Sequence, residues 1–315
     1  MTHKLGCIIV TYNSEAEIGP CLDSLMHSNG VDLSIVVVDN ASSDGTVDRV
    51  AQHPSRPTLI RAAINGGFAA GVNQGLDCLR KDQMLDRFWI LNPDCTVPPE
   101  TAAKIARHPK PFSLLGNRLL YAHDPERIQI DAGTINRWTG VTSNLNLGAP
   151  ALKTPPAKPH RADFISGASM TASREFLEIA GPMPEDYFLY YEEVHWAQLR
   201  ADLPLAICAD APVLHSAGAS IGSATLDRGP SALSVYFKHR ARMKFVAWFN
   251  PIALPIAYFF GLAKAVQHGI KGQISAVIPT MRALHGLGPG PKVQAQLGQT
   301  DQAAAKSRKV AKRLA

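Results

Sequence analysis

Between residues 236 and 290 this sequence has no aspartate or glutamate. It also lacks any Cys-x-x-Cys pair, and its five cysteines, at 7, 21, 78, 95 and 208, are odd in number and scattered. No secretory signal precedes them. These absences argue against a disulfide framework and a structural zinc site, and point to a reducing cytosol. No apolar run of the ~20 residues that a bilayer requires is uninterrupted; the best candidate, Phe245–Val266, contains Asn250, Pro251, Pro255 and Lys264. Internal repeats are missing too. Charged residues are 18% and apolar residues 46% of the 315, a balance that excludes wholesale disorder and suits one large or two modest globular units.

The missing acids create a charge split. Residues 236–315 hold thirteen Lys/Arg against Asp301 alone, a charge of +12, whereas residues 1–235 hold nineteen against twenty-five acids, a charge of −6. An acidic body with a basic end implies an anionic partner surface.

Apolar runs at Leu5–Val10, Ser34–Val38 and Phe88–Leu91 alternate with helical patterns. Ser14 to Glu17 reads as a capping box, followed by Ile18, Cys21, Leu22 and Leu25 on one face. Gly66-Gly67 opens another helix, with Val72, Leu76 and Leu79 inward. Strands separated by helices predict a parallel sheet covered on both faces. Residues 111–148 carry shorter strand-like pieces, 149–160 a Pro/Lys-rich loop, Asp163–Thr171 a strand, Glu192–Arg200 a helix, and Ala211–Leu214 a last strand ending at His215. Beyond Gly229 the pattern is helical, over 231–249, 251–267 and 272–285. Ligands of open α/β sheets bind outside the carboxyl ends of the strands. Polar residues collect at those ends here: Thr11-Tyr12-Asn13, Asp39-Asn40 and Asn92-Pro93-Asp94.

Six stretches, IIVTYNSEAEIGPCLDSL, IVVVDNASSDGT, NGGFAAGVNQG, FWILNPDC, FISGASMTASREFLEIAGPMPEDYFLYYEEVHWA and APVLHSAGASIG, together resemble the inverting family 2 glycosyltransferases of GT-A fold, in the rhamnosyltransferase-like branch. The resemblance spans roughly residues 5–250. It implies a Rossmann-like α/β domain over 1–230, with a mostly parallel central sheet and helices on both faces. Residues 1–110 would form the nucleotide-sugar half and 111–230 the acceptor half. A helical, membrane-associating region over 231–290 and a basic disordered tail over 291–315 would follow.

The same resemblance assigns roles. Thr11, Tyr12 and Asp39 would meet the nucleotide base, with Asp39 accepting from a uracil or thymine ring N–H. Asn65, Gly67 and Asn73 would lie under the nucleoside. Asp94 matches the last acid of the metal-binding Asp-x-Asp motif and would hold Mg²⁺ or Mn²⁺ on the donor diphosphate. Asn92 replaces the motif's first acid, and His215 matches a histidine near the diphosphate that serves some members as a metal ligand. Glu193 would be the general base, with Glu192 beside it. Two positions depart from the family pattern: His195 stands where an acid is common, and Leu199 where an arginine is expected.

The expected activity is transfer of a sugar from dTDP-rhamnose or a UDP-sugar to a lipid-linked or polysaccharide acceptor. The expected setting is cell envelope polysaccharide biosynthesis, peripheral on the inner face of the cytoplasmic membrane. The basic, aromatic-flanked helices suit an anionic leaflet, and packing on the domain or a homodimer interface is the alternative. Nucleic acid is not expected as a partner, because the aromatics sit in apolar helices and no recognised module is present. Two competing functions are a sugar-1-phosphate nucleotidyltransferase and a catalytically inactive nucleotide-binding scaffold. The first would want a Lys or Arg in its phosphate loop, and Thr11–Cys21 has none.

Overall fold

A computed structural model describes residues 3–216 and 231–297. The first half alternates as expected: β1 (His3–Thr11), α1 (Glu15–Met26), β2 (Val31–Asp39), α2 (Thr46–Ala51), β3 (Thr58–Arg61), α3 (Phe68–Leu79) and β4 (Arg87–Leu91). Strands β3, β2, β1 and β4 lie side by side and parallel. Their alternation sends Ile8, Val36, Val38, Phe88 and Ile90 into one buried cluster and Leu5, Cys7, Ile9, Val37, Trp89 and Leu91 into another. The near-continuous apolar runs are thus a sheet buried on both faces. Helix α3 lies close on β1: a Cβ added at Gly75 would sit 2.5 Å from Ile8 Cγ2. Ser14 is the N-cap of α1, but no side-chain capping bond forms. Its hydroxyl donates to Tyr12 O, and Glu15 instead accepts from Gly45 N–H at 3.0 Å.

Then come β5 (Cys95–Thr96), α4 (Thr101–Arg107), β6 (Leu114–Tyr121), β7 (Asp124–Ile130), β8 (Gly133–Ile135), β9 (Thr142–Asn144), β10 (Ser169–Ser173), α5 (Arg174–Ala180), α6 (Glu192–Gln198) and β11 (Ala206–His215). Here the sheet becomes mixed. Strand β10 runs antiparallel to both β4 and β6, and β6 runs parallel to β11. Two reversals leave β11 parallel to β4, so both strands end at the same edge. The predicted strand from Asp163 begins only at Ser169, because the backbone at Asp163–Phe164 bridges to Gly133 and not to β4 or β6. Arg118 bridges Asp131 at 2.8 and 2.9 Å and reaches the carbonyls of Ala151 and Thr154, tying down the Pro/Lys-rich loop.

Helices α7 (Ala232–Phe249), α8 (Leu254–Ile270), α9 (Ile274–Leu284) and α10 (Pro291–Gln296) complete the described chain. Helix α7 packs on the sheet domain through Ala241 and Phe245. Asn250 and Pro251 separate α7 from α8, and no described helix is long and apolar enough to cross a membrane. Trp248 and Phe249, expected at a headgroup boundary, pack edge-on against His195 at 5.2 and 4.8 Å. The tail differs from expectation over 291–296, where proline at the helix start and the buried Val293 allow a helical turn against Tyr236 and Phe237. The rest of the predicted tail, 298–315, and residues 217–222 of the last motif lie outside the described residues.

Candidate active site

The carboxyl ends of β1 and β2 meet first. Thr11 Oγ1 donates to Asp39 Oδ1 at 3.0 Å, and the Ser42 N–H and hydroxyl complete a set of donors around the buried Asp39 carboxylate. Asp39 therefore shapes its own loop, and one side, Oδ2, accepts a single bond within the chain. Asn40, next along, donates to Gly67 O at 3.0 Å, while Asn65 Oδ1 accepts from Gly67 N–H at 2.9 Å. Gly67 has φ +83°, and a Cβ there would lie 2.4 Å from Phe188 O, so only glycine lets this turn touch the aromatic loop. Asn73, expected under the nucleoside, is bonded within the chain. Its amide donates to Met183 O and Glu185 Oε1 and accepts from Met183 N–H, which ties α3 to the loop before α6.

The second group sits where β4 and β11 end. Asn92 N–H donates to Ala168 O at 2.9 Å, and the half-buried Asn92 side chain lies beside the turn that carries Asp94. Asp94 Oδ1 approaches His215 Nε2 to 3.2 Å. The distance is that of an ion pair, but the angle is too oblique for a hydrogen bond, and Asp94 Oδ1 stays buried with no donor. A buried carboxylate oxygen without a partner is costly unless something else satisfies it. Cys95 completes a potential ligand cluster, all within 4.8 Å. Burial pushes its thiol well up, and it lies 3.5 Å from Ala168 O. The donor set that remains, one carboxylate and one imidazole, fits a divalent cation whose other sites are filled by phosphate and water. Gln129, which sequence reasoning missed, holds His215 Nδ1 at 2.6 Å.

The third group opens α6. Tyr190 and Tyr191 are both left-handed, with φ +69° and +72°, a strained pair immediately before Glu192-Glu193. Bonds from outside the loop hold them there: Tyr191 Oη donates to Gly140 O at 2.6 Å and Tyr190 Oη to Ser234 Oγ at 2.9 Å. Glu192 is buried. Glu193 is partly accessible, yet surrounding protein raises its carboxyl to about 7, against which backbone N–H groups and the Lys238 ammonium pull down. Lys238 lies 5.0 Å over the Tyr190 ring and was not singled out from sequence. His195 replaces the usual acid because its ring packs edge-on against Tyr187, Trp248 and Phe249, a site hostile to a carboxylate.

One segment joins the second and third groups. Ala168 O accepts from Asn92 N–H, and a Cβ added at the neighbouring Gly167 would lie 3.9 Å from Glu193 Cβ and 3.4 Å from Phe68. The Gly167–Ala168 segment thus links the end of β4 to the start of α6, and the Gly67 turn beside the end of β2 touches the aromatic loop before that helix.

Residues 7–110 match Glycosyl transferase family 2. The chain is 28% identical over 234 residues, 69% of its own length and 68% of the relative's, to the low-salt glycan biosynthesis hexosyltransferase Agl10 of Haloferax volcanii. Its fold is similar to that of the mannosyltransferase PcManGT from Pyrobaculum calidifontis in complex with GDP-Man and Mn²⁺, at a TM-score of 0.51 and 19% identity over 98% of this chain and 86% of that one. It is also similar to GalNAc-T7 with UDP, GalNAc and Mn²⁺, at a TM-score of 0.54 and 13% identity over 76% of this chain and 47% of that one.

Proposed function

We propose that the chain is a family 2 glycosyltransferase with a GT-A sheet, which moves a hexose from a nucleoside diphosphate sugar to a hydroxyl of a glycan or glycolipid, with inversion and Glu193 as general base. One observation carries this reading. Glu193 sits at a strained turn, one short segment from Asp94, with burial raising its carboxyl to about 7. A base whose pKa lies near the working pH combines ionisation with proton affinity.

In the proposed step the acceptor hydroxyl gives its proton to the Glu193 carboxylate. Its oxygen bonds to the anomeric carbon from the face opposite the diphosphate. The old C–O bond breaks, and the nucleoside diphosphate leaves with that electron pair. A bound Mg²⁺ or Mn²⁺ supplies positive charge for the leaving diphosphate, and Asp94 with His215 would hold it. Thr11, Tyr12, Asp39, Asn65 and Gly67 would cradle the nucleoside, with Asp39 Oδ2 receiving a pyrimidine N–H from dTDP-rhamnose or a UDP-sugar. Asn92 would take a ribose hydroxyl or a metal-bound water. The solved neighbours with GDP-Man and UDP support the nucleoside diphosphate class, and the relative's glycan biosynthesis supports a glycan as product.

The test is a transfer assay with a panel of UDP-, dTDP- and GDP-sugars. Product NMR is expected to show the inverted anomer. The rate is expected to rise with pH through about 7 and then level, since acid protonates the base. Retention of configuration, or a rate flat across that range, defeats the reading.

The proposed setting is an anionic cytoplasmic leaflet. Ile252 in the turn before α8, and Phe259, Val266, Ile270, Ile274 and Ile278 along α8 and α9, are all at least 60% exposed, beside Lys264 and Lys271 and with no acid from 236 to 290. Exposed apolar area with one sign of charge suits lipid headgroups. The full chain is expected to sediment with anionic vesicles at low salt and to be released at ~0.15 M salt, where screening acts over roughly 8 Å. No binding at low salt, with a doubled mass in solution, would make this face a homodimer interface instead.

A further inference from the structure

We infer that Gln129 is a positioning residue that locks His215 in the tautomer with a proton on Nδ1 and a lone pair on Nε2, so that His215 and Asp94 face a cation as two ligands instead of neutralising one another. The inference rests on the metal-assisted reading above and adds a residue from outside the six sequence stretches.

The geometry has three parts. Gln129 is 7% exposed on β7, and its Oε1 lies 2.6 Å from His215 Nδ1. A carbonyl oxygen only accepts, so Nδ1 is the donor, and in the neutral ring that leaves Nε2 as the lone-pair nitrogen. Nε2 then lies 3.2 Å from Asp94 Oδ1 without a hydrogen bond between them, and Oδ1 has no other donor. Two lone pairs brought together in a buried place repel unless a cation lies between or beside them. A reversed Gln129 amide would put the proton on Nε2 and aim it at Asp94 Oδ1, but the oblique angle there forms no bond. The amide orientation that leaves Nε2 bare is therefore the one consistent with both neighbours.

The strand order explains why this residue is needed. Strand β7 pairs only with β6, which in turn pairs with β11, so Gln129 and His215 approach across an intervening strand. Asn144 Nδ2 lies 3.4 Å from Gln129 O, beside the β8–β9 hairpin. A ring at the end of β11 with no partner on Nδ1 would be free to rotate and to exchange tautomers. Orienting bonds of this kind typically change metal affinity by 10–100-fold.

The experiment uses the full chain, ¹⁵N-labelled at histidine, with His215 assigned by its loss in His215→Asn. Long-range ¹H–¹⁵N spectra of metal-free protein are expected to show a proton on Nδ1 and a bare Nε2. Mn²⁺ titrated alone and followed by EPR is expected to bind Gln129→Met 10–100-fold more weakly than wild type. Gln129→Glu, which keeps an acceptor at the same reach, is expected to retain both the tautomer and the affinity to within a few-fold. A protonated Nε2 in the wild-type chain overturns the inference, as does Gln129→Met binding Mn²⁺ like wild type with His215 unchanged. Neither readout involves turnover, so failure of the Glu193 reading would leave both results standing.

Discussion

Glu193→Gln is expected to bind the nucleotide sugar nearly as well as wild type, to transfer ~10²–10⁴-fold more slowly, and to melt higher at pH values above about 7. The first two effects follow from losing proton acceptance while keeping size and hydrogen bonding. The third follows from linkage. Burial lifts the folded carboxyl from its ordinary 4.5 to about 7, so the folded chain favours the protonated form. The stability from that group is fully present below about 4.5 and is lost as pH rises through 7. Above that pH the wild-type chain carries an ionised carboxylate that folding disfavours, and glutamine removes it. At 1.36 kcal/mol per unit the gain is about 1–3 kcal/mol, discounted because Glu193 retains some access to water. Calorimetric donor titration, initial rates and melting curves on either side of neutrality measure all three. Glu192→Gln is expected to be milder. If Glu192→Gln abolishes transfer and Glu193→Gln does not, the base is one residue earlier. If both remain active, the acid pair is only a charged helix start and the scaffold alternative gains.

Asp94→Ala is expected to lose at least ~10²-fold in turnover, because removing one electrostatic stabiliser of a developing charge costs about 2.7–4 kcal/mol. Asn92 contributes no charge, so Asp94 is the only acid in its turn, and no second carboxylate is present there to compensate. Mn²⁺ affinity and metal-dependent donor affinity are expected to fall together, with the fold intact by circular dichroism. Asp94→Asn should behave similarly, since shape without charge does not neutralise a diphosphate. Unchanged transfer by either variant removes Asp94 from the site. The Gly67 turn offers no such clean test: a side chain there meets Phe188 O, and any loss would mix donor binding with displacement of the aromatic loop.

Much of the first half was legible from sequence because its signals are local. Leu5–Val10 is an apolar run long enough for a strand, and it ends in polar residues that cannot continue into the core. The same holds for Ser34–Val38 and Phe88–Leu91, so the parallel order and the edge that carries Thr11, Asp39 and Asn92 follow from βα succession. Strand β3 escaped notice because Thr58–Arg61 is four residues long and only partly buried. The bonds of Asn73 to Met183 and Glu185 were not legible, because they span more than a hundred residues.

By itself, then, the sequence determined the elements of the first half, the glutamate pair at a helix start and the break in the C-terminal apolar stretch at Asn250-Pro251. These depend on side-chain periodicity and on backbone preferences acting over a few residues. Tertiary structure alone decided that His215 meets Asp94, since two antiparallel pairings through β10 must set the direction of β11 before the strand ends coincide. It alone brought Gln129 to His215 across 86 residues. It alone held Tyr190 and Tyr191 left-handed, because that strain persists only while Gly140 and Ser234 bind their hydroxyls. The raised carboxyl of Glu193 has the same origin: local sequence supplies the acid, and the protein packed around it from distant parts of the chain removes the water that would stabilise its charge.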